Sequence, residues 1–381
     1  MSWPMIKSTP NNKLRVGFVL DDGLDKPDGV QQYILTLGEW LKSKGHYVRY
    51  LVGETSREDI KEAIPLARNL KVRFNGNSLS TPFPASTEKI KATLKQEKFD
   101  ILHVQVPYSP FMAGKVIRYA DEHTKIIGTF HVLPVGRLQY TGSKLLGYAM
   151  NRSLKHFDKF LSVSPPAQKF AEETFGIKSE ILPNPVSIEK YHKTTAKDDY
   201  LNIVFIGRLV PRKGCMNLLK AVNGLVKLDG SLSLRVHICG TGNQQSKLEN
   251  YIRSTGLGDV VKMHGFVSEE KKIDFLSKAD LSVFPSISGE SFGIVLIEAM
   301  AAGGGVVLAG NNPGYSSVLS GAPESLFNPN DPDELRDKLH KLIKDKEQYE
   351  KIYRSQQKLI RQFDIPSVGQ KLLDVYAEVL R

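Results

Sequence analysis

A chain of 381 residues exceeds one typical domain, and 41% hydrophobic against 24% charged residues is the balance of a globular protein, which excludes a disordered chain. The net charge of +11 is uneven, with 26 Lys+Arg against 18 Asp+Glu up to Val186 and 26 against 23 after it, so the first half carries an excess of +8. Such an excess fits an acidic substrate or an anionic membrane surface, and basic residues this dispersed, with no recognised nucleic-acid module, place nucleic acid last among the partners.

The opening MSWPMIKSTPNNK lacks the apolar core of a signal peptide, so it reads as a leader and does not imply secretion. Leu14 to Leu20 is a short apolar run that ends in an Asp- and Gly-rich loop, Asp21 to Gly29. An amphipathic helix over Val30 to Lys44, ended by Gly45, and a strand over His46 to Val52 complete a βαβ unit. Phe99 to Val104, Lys125 to Thr129 and Lys159 to Val163 repeat the strand pattern with helical stretches between them, so the first half reads as a doubly wound α/β domain.

Leu182 to Val186 (LPNPV) and the polar stretch up to Tyr200 read as a linker. Cys215 and Cys239 lie 24 positions apart with no third cysteine or histidine at ligand spacing, which indicates neither zinc nor a disulfide framework and fits a reducing, cytoplasmic compartment. Strands over Asn202 to Ile206, Leu234 to Cys239, Val260 to His264, Leu281 to Phe284 and Gly305 to Ala309 alternate with helices over Cys215 to Leu228, Asn243 to Ser254, Glu269 to Ser277 and Ser291 to Ala302. Phe292 to Ala309 is the longest apolar stretch, but Glu298 and three consecutive glycines interrupt it, which gives a buried helix and a strand and no membrane span. Long amphipathic helices over Asp331 to Ile360 and Ile365 to Leu380 close the chain. The expected fold is α/β: two Rossmann-like doubly wound domains, 1–186 and 187–360, facing across a cleft, with a helix in 361–381 packing back toward the N-terminal domain.

Glu290 and Glu298 carry the sharpest chemical signal. With a helix starting near Ser291, Glu290 sits at its N-terminal lip and Glu298 about two turns along on the same side, with unpaired backbone N–H groups between them. That geometry suits an anion carrying two diols, such as a nucleotide diphosphate sugar: amides at the helix start take the diphosphate and each carboxylate accepts from hydroxyls. On spacing alone, a helix cap and a core-edge acid fit equally; the apolar residues around Glu298 demand a partner for it.

Gly207 to Gly214 (GRLVPRKG) follows the first strand of the second domain, where Arg208 and Lys213, five positions apart, can clamp a diphosphate leaving group or form a merely solvated basic loop. Gly240, at the end of another strand, allows close backbone approach, as does Gly29 after Asp28 in the first domain. His131 ends a strand and points to the same edge as Gly29, whereas His103 reads as a core or hinge histidine. Two stretches of the basic half, Arg57 to Arg73 and Arg137 to Phe157, interleave cations with apolar residues and read either as interfacial segments or as faces packed on their own sheet.

Taken together, the DGVQ loop, FDILHVQVPYSP, GTFH, LPNPV, FIGRLVPRKG and GESFGIVLIEAMAAG resemble family 4 of the retaining glycosyltransferases, with their two-domain GT-B fold, and among them the bacterial phosphatidylinositol mannosyltransferases. The resemblance runs over nearly the whole chain. It implies that Glu290 contacts the donor sugar, that the amides of Ser291, Phe292, Gly293 and Ile294 hold the diphosphate, and that Glu298 binds the nucleotide ribose. Arg208 and Lys213 would neutralise the departing diphosphate, and Gly29 and His131 would line the sugar and acceptor side, with His131 near the reaction centre. Gly207 and Gly240 belong to the donor loops. The implied reaction moves a hexose, mannose from GDP-mannose, to a hydroxyl of a lipid-linked acceptor such as phosphatidylinositol, with retention, no metal and no other cofactor, on the cytoplasmic face of a membrane.

Two departures bear on the acceptor. Asp28-Gly29 stands where those mannosyltransferases show a Gly-Gly pair, and Gly304-Gly305 follows AMAAG. A soluble or different glycolipid acceptor, a nucleotide-sugar epimerase of the same fold and a non-catalytic ligand sensor are the alternatives, distinguished by products formed with donor alone and by binding without turnover.

Overall fold

The computed structural model describes residues 13–25, 28–74, 77–133, 142–143, 152–192 and 199–381. The chain divides into two compact units, one holding the residues up to Pro185 together with Ile365–Arg381 and the other Val186–Asp364.

In the first unit, β1 (Arg15–Val19), β2 (Tyr47–Gly53), β3 (Ala63–Phe74), β4 (Asn77–Ala85), β5 (Ile101–Gln105), β6 (Lys125–Phe130), β7 (Lys159–Ser162) and β8 (Glu180–Ile181) form one sheet in the order β4-β3-β2-β1-β5-β6-β7-β8. Every neighbouring pair is parallel except β3 and β4. The chain leaves β1 toward β2 and later returns to its other side with β5, the doubly wound topology, and the reversal places the loops after β1 and β5 side by side at the carboxyl edge. Ile101–Gln105 is buried throughout, as a parallel strand covered on both faces must be. The helix Gly29–Ser43 buries Tyr33, Ile34, Leu37 and Leu41, a stripe at helical spacing.

The last helix, Ile365–Val379, packs within this unit. A side chain at Gly369 would meet the Trp40 ring 2.4 Å away, and Tyr376, fully buried, places its hydroxyl 2.8 Å from His103 Nδ1. His103 is a core residue, closed on its other side by Thr129 Oγ1 at 2.6 Å.

The β3–β4 pair was not expected from the sequence. It takes up the end of the Arg57 to Arg73 stretch, where Leu66 is buried and Ile64 packs against the same core. Arg137 to Phe157 lies largely outside the described residues.

In the second unit β9 (Leu201–Ile206), β10 (Leu234–Cys239), β11 (Val261–Gly265), β12 (Leu281–Phe284), β13 (Val306–Gly310) and β14 (Leu326–Phe327) form a wholly parallel sheet in the order β11-β10-β9-β12-β13-β14. This too is doubly wound, with the switch between β9 and β12. The helix Ile294–Ala302 is buried from Leu296 to Ala302; each Leu or Ile so placed contributes about 1.5–3 kcal/mol.

Two helices depart most from expectation. The helix expected to start at Ser291 starts at Ile294, because Gly293 adopts φ +116°, outside the helical region, and a Cβ there would lie 2.5 Å from the Tyr315 ring. The helix expected over Asp331 to Ile360 is two, Pro332–Lys344 and Lys346–Leu359. Asp345 breaks it with φ −104° and ψ 89°, and its carboxylate caps the second helix by accepting from the Gln348 N–H at 2.9 Å.

Candidate active site

Glu290 ends the loop that follows β12, at the carboxyl edge of the second sheet. It is 9% exposed, and three donors converge on its Oε1: Ser286 Oγ at 2.7 Å, Lys213 Nζ at 2.8 Å and Arg212 Nη1 at 2.9 Å. Burial pushes the Glu290 carboxyl up, but the charges of Lys213 and Arg212 outweigh it and hold the group below the ordinary carboxylate range. It is therefore an anion at neutral pH.

Glu298 lies within the buried helix, and its Oε1 accepts from Lys272 Nζ at 2.6 Å and Tyr191 Oη at 2.8 Å. Lys272 also bridges to Glu269 Oε2 at 2.8 Å, and Tyr191 reaches Glu269 Oε1 at 2.5 Å. Burial lowers the Lys272 ammonium, yet the two carboxylates more than offset this and hold its pKa above the usual value. Burial, then the same two charges, push the Tyr191 phenol far up, so it remains a donor. The partner that a buried Glu298 demands is thus a lysine and a tyrosine.

The loop after β9 carries Gly207 and an exposed Arg208 and leads into a 3-10 turn, Pro211–Lys213. The loop after β10 lies against it: Gly240, at φ +146°, has no room for a Cβ, which would fall 1.9 Å from the Gly207 carbonyl oxygen. Leu209 N–H donates to the Thr241 carbonyl at 2.8 Å. Of the two cations expected at the site, Lys213 meets Glu290 directly, and the second cation on that carboxylate is Arg212. Ser291, Phe292 and Gly293 form the bend before the helix, so among the four expected amide donors only Ile294 is in its first turn.

In the first unit Gly29 is exposed and opens the helix Gly29–Ser43, behind Asp28. His131 follows β6, is 6% exposed, and places Nε2 at 2.7 Å from Gln105 Oε1. Tyr33 stands edge-on to its ring at 4.8 Å. Burial pushes the His131 imidazole down to about 3, so it is neutral. Asp21, just past β1, accepts from Ser109 Oγ and from the Ala113 N–H, and burial pushes it up to about 6. Among the described residues no group of three or more His, Cys, Asp or Glu side chains is disposed to hold a metal ion.

Four of these residues, Arg212, Tyr191, Lys272 and Gln105, were missed in the sequence. Tyr191 and Lys272 stand far from Glu298 along the chain, and no spacing rule joins them. Arg212, adjacent to Lys213 in the same loop, was within reach of the charge argument.

The family model described as Glycosyltransferase Family 4 matches residues 27–190, and the one described as Glycosyl transferases group 1 matches 187–359. The chain thus carries a Glycosyltransferase Family 4 domain followed by a Glycosyl transferases group 1 domain. This glycosyltransferase is 28% identical to a phosphatidyl-myo-inositol mannosyltransferase of Mycobacterium leprae, across 96% of the chain and 97% of that relative. A phosphatidyl-myo-inositol mannosyltransferase of Propionibacterium freudenreichii is 29% identical, across 81% and 80%. Among solved structures, a glycosyltransferase from Rickettsia africae superposes with TM-score 0.77 at 19% identity, over 97% of this chain and 99% of that one. Anabaena HepE, crystallised with UDP and glucose, gives 0.74 at 16% identity, over 95% and 99%. These likenesses show that the two parallel-sheet units have the GT-B fold.

Proposed function

We propose that this glycosyltransferase moves a hexose, mannose, from a nucleotide diphosphate sugar, GDP-mannose, to a hydroxyl of a lipid-linked acceptor such as phosphatidylinositol, with retention of anomeric configuration. The observation that carries the reading is Glu290, an anion fixed by Arg212, Lys213 and Ser286 beside a helix start, with a second anchored acid, Glu298, eight positions on. A buried, ionised carboxylate suits the hydroxyls of a sugar, and cations beside it suit a diphosphate. The named substrates of the mannosyltransferase relatives, at 26–29% identity, support the choice of acceptor and sugar.

In this reading the acceptor oxygen bonds to the anomeric carbon on the face from which the diphosphate departs. The C–O bond to the diphosphate breaks, and the acceptor proton passes to the leaving phosphate oxygen. Lys213 and Arg208 neutralise the charge that develops there, and Ile294 N–H adds the field of the helix start. Glu298 receives the ribose hydroxyls. Gly29 and His131 are assigned to the sugar and acceptor, His131 as a neutral imidazole. The chemistry is assigned to protein cations, without a metal.

No helix among the described residues is long and apolar enough to cross a membrane. In this reading a lipid acceptor is met by peripheral attachment at the cytoplasmic face. The +8 excess of residues 1–186 supports this. Equal vesicle flotation with neutral and anionic lipid at low salt would count against the electrostatic part. For the site, Glu290→Ala with the fold preserved should abolish donor turnover; normal turnover in that variant would refute the assignment.

A further inference from the structure

Resting on that reading of Glu290, the contacts between the loop after β9 and the loop after β12 assign a further role to Arg212. The main-chain carbonyl of Arg212 accepts from the Ile287 N–H at 2.8 Å and lies 3.1 Å from Ser286 Oγ, whose proton goes to Glu290. Its guanidinium reaches back along the same loop, with Nη1 at 2.9 Å from Glu290 Oε1 and at 3.3 and 3.4 Å from the carbonyl oxygens of Gly289 and Ser288. One residue thus holds the loop from both of its own ends. Lys213 Nζ touches the same Oε1 as a single point charge on a flexible stem.

Two cations on one carboxylate oxygen are not equivalent when an anion arrives. Lys213 needs only to rotate its stem to exchange Glu290 for a phosphate oxygen. Arg212 is less free to follow, because its Nη1 is shared among two carbonyls and the carboxylate while its own main-chain carbonyl is held by the Ile287 N–H. We propose that Arg212 is the positioning residue of the donor site: it remains the fixed counter-ion of Glu290 when Lys213 turns to the diphosphate, and so keeps that carboxylate ionised and aimed at the sugar. The groups facing Glu290 are Lys213 and Arg212 from the first loop, Ser286 from its own loop, and the buried Tyr315 phenol from the helix Pro313–Val318.

The test is the pH profile of kcat/KM for the donor in the full-length enzyme, for wild type, Arg212→Gln and Arg212→Lys, each with a thermal melt. With Gln, one of two cations is lost from a nearly buried carboxylate, so the acid limb should move up by about one pH unit and kcat should fall at least about tenfold. With Lys, which restores charge but not the guanidinium's reach to the two carbonyls, the limb should return close to that of wild type while kcat recovers only in part. A scaffolding role alone would lower Tm and kcat without moving the limb. A folded Arg212→Gln with the wild-type limb overturns the proposal. Should that variant not fold, Arg212→Met keeps the stem's packing and the same criterion applies; if neither folds while Arg212→Lys does, Arg212 is loop architecture and the proposal also fails. Donor-dependent transfer by wild type is measured first, so its absence would strike the functional reading and not Arg212.

Discussion

Gln105 Oε1 faces His131 Nε2 at 2.7 Å, while the other end of the same amide donates from Nε2 to the His103 carbonyl at 3.0 Å. The carbonyl contact fixes which way the amide points, since the reverse orientation would set two oxygens against each other. His131 must therefore donate from Nε2, which leaves Nδ1 without its proton. With burial holding its pKa down to about 3, the imidazole is neutral throughout the working range. Gln105→Glu would place a carboxylate on that N–H and raise the pKa by more than about one unit, read as an NMR titration of the His131 ring. An unchanged titration would show that Gln105 does not control the ring.

Tyr191, itself buried, places its hydroxyl 2.8 Å from Glu298 Oε1. Tyr191→Phe deletes it and leaves Lys272 as the described donor to that carboxylate, a loss of about 1–3 kcal/mol for a buried charge-assisted bond. The donor KM should rise more than kcat falls, because the hydroxyl holds a binding carboxylate and not a reacting atom. Steady-state kinetics with a thermal melt separates the two effects.

Asp21 makes a prediction about pH and stability. Its folded pKa of about 6 lies above the ordinary carboxylate value, so the stabilisation it gives is complete below the unfolded value and is lost as pH rises through 6. Asp21→Asn removes the ionisable group, and its amide can still accept from the Ala113 N–H. The variant should be more stable than wild type at pH 8, by at most about 3 kcal/mol in chemical denaturation, with the difference vanishing below about pH 4.

Gly293→Ala should unfold more easily by about 2 kcal/mol, since an L side chain there meets both a disfavoured φ of +116° and the Tyr315 ring. Chemical denaturation measures it; an unchanged midpoint would mean that the bend before Ile294 relaxes freely.

Particular elements show how far the sequence was legible. Asn202 to Ile206 and Leu281 to Phe284 are buried parallel strands, whose continuous apolar runs announce them. The β3–β4 pair has a polar, proline-containing second strand, NSLSTPFPA, with no such run. Glu290, Lys213 and Glu298 were visible because their spacing implies a loop, a helix and an anion. Arg208 and Arg212 sit four residues apart in one loop, and only the backbone of the 3-10 turn decides which guanidinium meets Glu290. Tyr191 and Lys272 depend wholly on tertiary packing.

The central claim is transfer to an acceptor from a donor held at Glu290. It is tested most directly by incubating the wild-type enzyme and Glu290→Ala with GDP-mannose, with and without phosphatidylinositol vesicles, and analysing the products and their anomeric configuration. The account predicts a mannosylated lipid with retained configuration, formed only when vesicles are present and only by the wild type. Release of an epimerised sugar without vesicles, or the same glycolipid from Glu290→Ala, would contradict it.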